Sequence, residues 1–457
     1  MSIVEPRSQR TTVGGGPKKV LYTLATVRQI GVGKATKALT SKNACKACGY
    51  GMGGQLGGMT NELGEFPSVC NKSVQAQSTD IQPPIPREIF AHPLSDLQDL
   101  SGREMERLGR LNVPLYKAGD GAHLQPVAWD WALAHAGARL RETDPQRSFF
   151  YSSGRSSNEA GFLFQLLARA YGTNNVNNCS YYCHQATSEG LKTTIGSGTS
   201  TVELADLKGA DLIFVIGANP ASNHPRFIRN MGSRLSAYIA NGPTTPAISA
   251  LVKFAVPKSP SSMLQGGTEI ASDYLQPRIG EDIALFKGLA KAVVEAGAID
   301  AEFFSRHVNG LAPFMDDLSQ TTWDEIVTRS GVDKTGITRV AETYARAENV
   351  VFAWGMGMTH HLHGVGNVEM IANLALLRGM AGRRFAGLLP LRGHSNVQGI
   401  GTIGVKPVLA SDVLLRLEKT LGLQAPRSAG LDTMASLRAA DEGTIDAAVI
   451  MGGNLFE

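Results

Sequence analysis

The sequence predicts a multi-domain α/β protein, built on doubly wound parallel sheets with a small Cys- and Gly-rich module near its start. Three observations carry this. The chain has 457 residues, more than one hydrophobic core usually serves. Short apolar runs alternate with stretches of helical spacing, the pattern of β-α-β units. Gly residues follow several of the apolar runs, where a backbone turns sharply or approaches a ligand.

Composition narrows the class. Hydrophobic residues make up 43% and charged residues 18%, which suits large buried layers and argues against disorder. A net charge of +4 is too small for this length to imply a nucleic-acid partner. No apolar run reaches the ~20 residues of a membrane span. The opening MSIVEPRSQRTTVGGGPKK has no apolar core and no adjacent Arg pair, so a cytoplasmic protein is expected. The five Cys form an odd set without an export signal, which argues for metal chemistry over a disulfide framework.

The elements follow in order. Residues 1–43 are basic with little periodicity and read as a flexible tail. A loop-rich module holding Cys45, Cys48 and Cys70 comes next, and Gln82–Pro86 (QPPIP) marks a linker. Helices are expected over Trp129–Arg141, Glu159–Tyr171, Asp282–Ala296, Thr335–Ala347 and Val368–Met380. Strands are expected over Ser148–Ser152, Asp211–Gly217, Val350–Trp354 and Ala447–Met451. The last strand runs into Gly452-Gly453-Asn454, a turn that normally leads on to a helix, so the chain is expected to stop within a domain.

Four sets of residues could carry chemistry. Cys45-x-x-Cys48 with Cys70 suits an iron–sulfur cluster or zinc, and less well a group of ordinary buried thiols. Met52 stands where a third Cys of a CxxCxxxC series would come, and Lys72 follows Cys70 closely. In the second set Cys183 precedes His184; a soft thiolate suits a redox metal, and the pair fits a core thiol beside a structural His as well. The third set comprises strand-end Gly turns: Gly217-Ala218-Asn219-Pro220, Gly355-Met356-Gly357 and Gly452-Gly453-Asn454. Ligands bind at the carboxyl ends of parallel strands. The fourth is the stretch Arg392-Gly393-His394-Ser395-Asn396-Val397-Gln398-Gly399, polar groups that a polar polycyclic cofactor would pair or that solvent would.

In this order the four sets resemble the molybdopterin oxidoreductase superfamily, in its formate-dehydrogenase-like FdhF/YdeP branch. The resemblance runs from about Cys45 to the last residue. It implies a molybdenum bis(molybdopterin guanine dinucleotide) and a 4Fe-4S cluster. Cys183 is then the molybdenum ligand, with His184 as proton acceptor or orienting group, and Arg392 steadies an anionic substrate. Gly217, Asn219, Pro220 and His224 would line one pterin dinucleotide. Gly355, Met356 and Gly357, with Asn396, Gln398 and Gly399, would line the other. Lys72 would stand between cluster and pterin, and Cys45, Cys48 and Cys70 would hold the cluster.

The implied domains are a tail (1–43), an iron–sulfur-type module (44–85), a discontinuous pterin-binding domain (86–178 with 393–457) and a domain carrying the molybdenum ligand (179–392). A C-terminal dinucleotide-binding domain would be missing. The implied activity is a two-electron, formate-dehydrogenase-like oxidation of a small molecule, with electrons passing to the cluster and on to a protein partner. Alternatives on the same scaffold are a reductase of another oxyanion or N- or S-oxide, or a non-catalytic truncated subunit. The chain departs from formate dehydrogenases proper at Met52, at Tyr181-Tyr182 and at His394-Ser395.

Overall fold

The computed structural model describes residues 16–41, 45–50, 59–61, 64, 66, 68, 70–227, 235–239, 253–254, 268–269 and 271–453. Its two main sheets use β1 (Ser148–Ser152), β2 (Val176–Asn178), β3 (Leu212–Ile216), β4 (Leu235–Ile239), β5 (Asp273–Leu275), β6 (Val350–Trp354), β7 (Gly387–Pro390) and β8 (Ala447–Met451). The larger sheet is parallel in the order β7-β6-β3-β4-β5. The smaller is parallel in the order β8-β1-β2. In the larger sheet the chain runs outward from β3 to β5, then returns to place β6 on the other side of β3. The order of strands reverses between β3 and β6.

The central strands owe their form to continuous apolar sequence. LIFVI and VVFAW are buried at every position, as strands covered on both faces must be. Phe214 pairs in register with Phe352, and the rings stack with centroids 4.8 Å apart. Tyr344 lies edge-on to both. On the opposite face Ile213, Val215, Val351 and Ala353 pack with Cys48 and Tyr50, so the Cys segment is seated on the sheet.

Helices cover the sheets. In chain order they include α1 (Gly16–Ile30), α2 (Val32–Thr40), α3 (Asn71–Asp80), α4 (Trp129–Glu142), α5 (Asn158–Tyr171), α6 (Gln185–Ile195), α7 (Asp282–Glu295), α8 (Lys334–Arg346), α9 (Gly364–Leu377) and α10 (Val397–Thr402). Helix α9 packs on α6 and α7, and α8 packs on α7. Helix α5 starts at the Ser157 cap, whose hydroxyl accepts from the Ala160 N–H, and stops at Gly172 in the left-handed region.

The flexible tail expected over residues 1–43 is corrected over its described part. Residues 16–40 form α1 and α2, which pack against α3. The half-buried stripe of α1 runs through Thr23, Thr26, Val27 and Ile30, so Thr stands where apolar periodicity would show. The stretch after Arg392 turns helical at Val397. Met52 and Asn454 lie outside the described residues. No helix among the described residues is long and apolar enough to cross a membrane.

Candidate active site

Three loops meet at the carboxyl end of the larger sheet, following β3, β6 and β7. The first two flank the reversal point, where a crevice between diverging loops forms. Here the loops touch backbone to backbone. Gly217 adopts φ +53°, and the Gly357 N–H donates to its carbonyl at 2.9 Å. The Gly355 N–H donates to the Ile216 carbonyl, also at 2.9 Å. A cavity of about 550 Å³ opens beside them. Lys72 of α3, Arg155 after β1, His224, Met356 and His394 reach it from five segments. Of the residues expected at a ligand, Gly217, Asn219, Gly355 and Gly357 line it as well. Pro220 opens the short helix Pro220–Asn223, a position whose missing N–H costs nothing.

Cys183 ends the helical turn Cys179–Tyr182. Its Sγ lies 3.5 Å from Met356 Sδ. Burial pushes its thiol pKa up, while a hydrogen bond from the Gly393 backbone and the charge of Arg392 pull it down. Arg392 is itself buried, which lowers its pKa to about 10. Nη2 of Arg392 donates to the Gly198 carbonyl at 3.1 Å, and among the described residues its buried Nε has no partner. The Arg392 carbonyl accepts from the Gly49 N–H at 3.1 Å and from His224 Nε2 at 2.7 Å, which ties this loop to the Cys segment. Because a carbonyl only accepts, His224 carries its proton on Nε2. Its Nδ1 is a buried acceptor without a partner among the described residues, and burial depresses its pKa.

His184 is fully buried, and both ring nitrogens are committed. Nε2 lies 3.3 Å from the Leu391 carbonyl and therefore donates to it. Nδ1 then accepts from Thr187 Oγ1 at 3.0 Å, and Thr187 Oγ1 accepts from Trp354 Nε1 at 2.9 Å. The chain of donors is closed. Burial, with the Arg392 charge adding, pushes the His184 pKa down to about 3. Of the two roles expected for His184, this geometry suits orientation, since a proton acceptor needs a free lone pair.

At the Cys module, Cys45 and Cys48 are buried. Cys45 Sγ lies 3.4 Å and Cys70 Sγ 3.3 Å from Ser73 Oγ, and the Cys48 thiol feels the charges of both other Cys. Burial raises the Cys48 pKa first of all. Among the described residues no three His, Cys, Asp or Glu side chains are close enough to hold a single metal ion. Lys72 Nζ donates to the Asn223 carbonyl at 3.3 Å and lies within electrostatic reach of Cys48 and His224.

Asn396, Gln398 and Gly399 do not line this cavity. Asn396 Nδ2 donates to the Ser156 carbonyl at 2.8 Å and to Asn158 Oδ1 at 2.9 Å, which fastens the loop to the start of α5. The turn of α10 leaves Gln398 exposed. Sequence reasoning missed Thr187 and Trp354. Thr187 stands three residues after His184 in the first turn of α6, a spacing that brings side chains together. It also gave no role to Cys179, whose Sγ lies 2.9 Å from His394 Nδ1.

Comparison with known proteins accords with this arrangement. Residues 110–456 match the family model described as molybdopterin oxidoreductase. The chain is 38% identical to Protein YdeP of Escherichia coli (strain K12) over 84% of its length and 52% of that protein. It is 33% identical to the uncharacterized oxidoreductase Mb2924c of Mycobacterium bovis over 99% of its length and 59% of that protein. The chain thus spans between half and three fifths of these relatives. Among solved structures, acetylene hydratase from Pelobacter acetylenicus superposes with a TM-score of 0.50 at 16% identity, covering 70% of this chain and 39% of that one. At that identity the likeness concerns the fold alone.

Proposed function

The chain belongs to the molybdopterin oxidoreductase family, and from that premise we propose that its cavity serves a formate-dehydrogenase-like oxidation of a small anion on a molybdenum bis(molybdopterin guanine dinucleotide). The observation that carries this reading is Arg392, a buried guanidinium beside Cys183 with its Nε unpaired. A buried cation with an unused donor suits a carboxylate partner. The unpaired Nδ1 of His224 and the Gly-lined strand ends fit a polar cofactor at the same place.

When bound, the cofactor supplies a metal that takes up two electrons. Cys183 would complete the metal's ligands. Gly217, Asn219, Pro220 and His224 would flank one dinucleotide, and Gly355, Met356 and Gly357 the other. His184 would hold the Cys183 segment in position. A cluster at Cys45, Cys48 and Cys70 would pass electrons to a protein partner, with Lys72 between cluster and pterin. Two of the three thiols, Cys45 and Cys70, converge on Ser73 Oγ, which supports this grouping.

The test is metal and pterin analysis of purified protein, joined to formate-dependent dye reduction. Molybdenum, iron and formate turnover are expected together. Protein grown with molybdate that carries neither molybdenum nor pterin refutes the reading. Loaded protein that reduces an oxyanion or N-oxide and leaves formate untouched replaces it with the reductase alternative.

A further inference from the structure

The closed hydrogen bonds of His184 leave an unfilled task in the proposed reaction. Removing two electrons from a formate C–H bond also releases a proton, and a side chain at the cavity has to receive it. We infer that Cys179 and His394 form a second thiol–imidazole pair and that His394 receives this proton. The inference rests on the function proposed above.

Four histidines near the cavity have a nitrogen bound to a backbone carbonyl: His184 to Leu391, His224 to Arg392, His360 to Tyr182 and His361 to Gly357. Each carbonyl fixes a proton on its ring. His394 differs. Its Nδ1 faces a thiol, Cys179 Sγ, at 2.9 Å, and a thiol both donates and accepts. Among the described residues its Nε2 has no hydrogen-bond partner, and the residue lines the cavity. The sulfur is positioned independently by the Gly154 N–H, which donates to it at 3.1 Å. With Nδ1–H turned to sulfur, Nε2 offers a lone pair to the cavity. The balance is then complete: the C–H bond breaks, its electron pair goes to the oxidising cofactor, and its proton goes to Nε2.

The groups facing the pair are Arg155 after β1, Tyr151 of β1, Lys72 of α3 and Cys183. Burial first, then the charges of Arg155 and Lys72, holds the His394 pKa below its ordinary value. The imidazole is therefore unprotonated at neutral pH and ready to accept. The Cys179 thiol is held above its ordinary range, mainly by burial, so it stays a neutral partner.

Two arms test this. The first uses the purified protein, loaded or not, and reads iodoacetamide labelling of Cys179 by mass spectrometry. His394→Leu is expected to slow labelling about tenfold at pH 7, because the reacting thiolate loses the Nδ1–H that steadies it. An unchanged rate overturns the pairing. The second arm reads formate-dependent dye reduction against pH in protein of verified molybdenum content. Wild type should lose rate as pH falls through the His394 pKa. His394→Gln should lose about 100-fold in turnover together with that acidic limb, and His394→Gly should regain rate with added imidazole. A loaded His394→Gln enzyme with the wild-type pH profile overturns the inference. Protein that takes up no molybdenum refutes the proposed oxidation, whereas the labelling arm still decides the pair.

Discussion

Replacing Gly357 by Ala tests whether the two strand-end loops really meet. A Cβ there would sit 2.6 Å from the Gly217 carbonyl oxygen, 2.7 Å from its Cα and 2.9 Å from its carbonyl carbon. All three are backbone atoms, so no flexible side chain can yield. Gly217 is also held at φ +53°, which limits how the partner loop can shift. Overpacking of this kind costs about 1–3 kcal/mol, and loss of the Gly357–Gly217 hydrogen bond adds about 1 kcal/mol. A domain of this size loses about 2–4 °C per kcal/mol, so a fall of roughly 5–15 °C in Tm is expected by circular dichroism or calorimetry. Gly401→Ala is the control, since nothing lies within 4 Å of a Cβ at that helical position. It should melt at or slightly above wild type. A Gly357→Ala protein that melts within about 1 °C of wild type would refute the contact.

Other outcomes follow from the same geometry. Thr187→Val strands Trp354 Nε1 and His184 Nδ1 in the interior, at about 1–3 kcal/mol each, and urea unfolding should read their sum; a loss below about 0.5 kcal/mol contradicts the hydrogen-bonded chain. His184 has a folded-state pKa of about 3, below its unfolded value, so its stabilisation is present above pH ~6.5 and declines as pH falls toward 3. The slope approaches about 1.4 kcal/mol per pH unit, and a His184→Gln protein with the wild-type slope between pH 7 and 5 counts against the assignment. Arg392→Met removes a buried, incompletely paired cation, so stability should hold or rise while formate affinity of loaded protein drops about 100-fold; unchanged formate affinity removes Arg392 from substrate binding.

The legible parts of this fold are those in which side chains write their burial directly. LIFVI and VVFAW are buried on both faces and read as strands without help. Strand β2 is the opposite case. Its sequence Val176-Asn177-Asn178 looks like a loop, yet it is buried because Asn177 Nδ2 donates to the Leu431 carbonyl at 2.9 Å and Asn178 Nδ2 to the Val405 carbonyl at 2.6 Å. Partners more than 200 residues away are invisible to local pattern. The site shows the same division. The strand-end Gly turns announced a crevice, and Gly217 and Gly357 meet there, whereas Gly452 belongs to the smaller sheet, beside Ser153. The family resemblance offered His184 as proton acceptor or orienting group. Only the positions of Leu391, Thr187 and Trp354 reveal that the imidazole is fully engaged.

The smaller sheet has a consequence for how the chain is made. Strand β1 takes β2 on one side after a single crossover through α5, but its other side waits for β8, with Ser148 pairing Ala447. The neighbouring Arg147–Asp446 ion pair spans 299 residues. At synthesis rates of about 5–20 residues per second, that separation leaves the hydrogen-bonding edge of β1 open for roughly 15–60 s on each ribosome. An aromatic strand, SFFYS, is thereby offered to any neighbouring nascent chain throughout that interval. The yield of correctly folded protein should consequently depend on translation speed and on holding chaperones more than on the stability of the finished sheet.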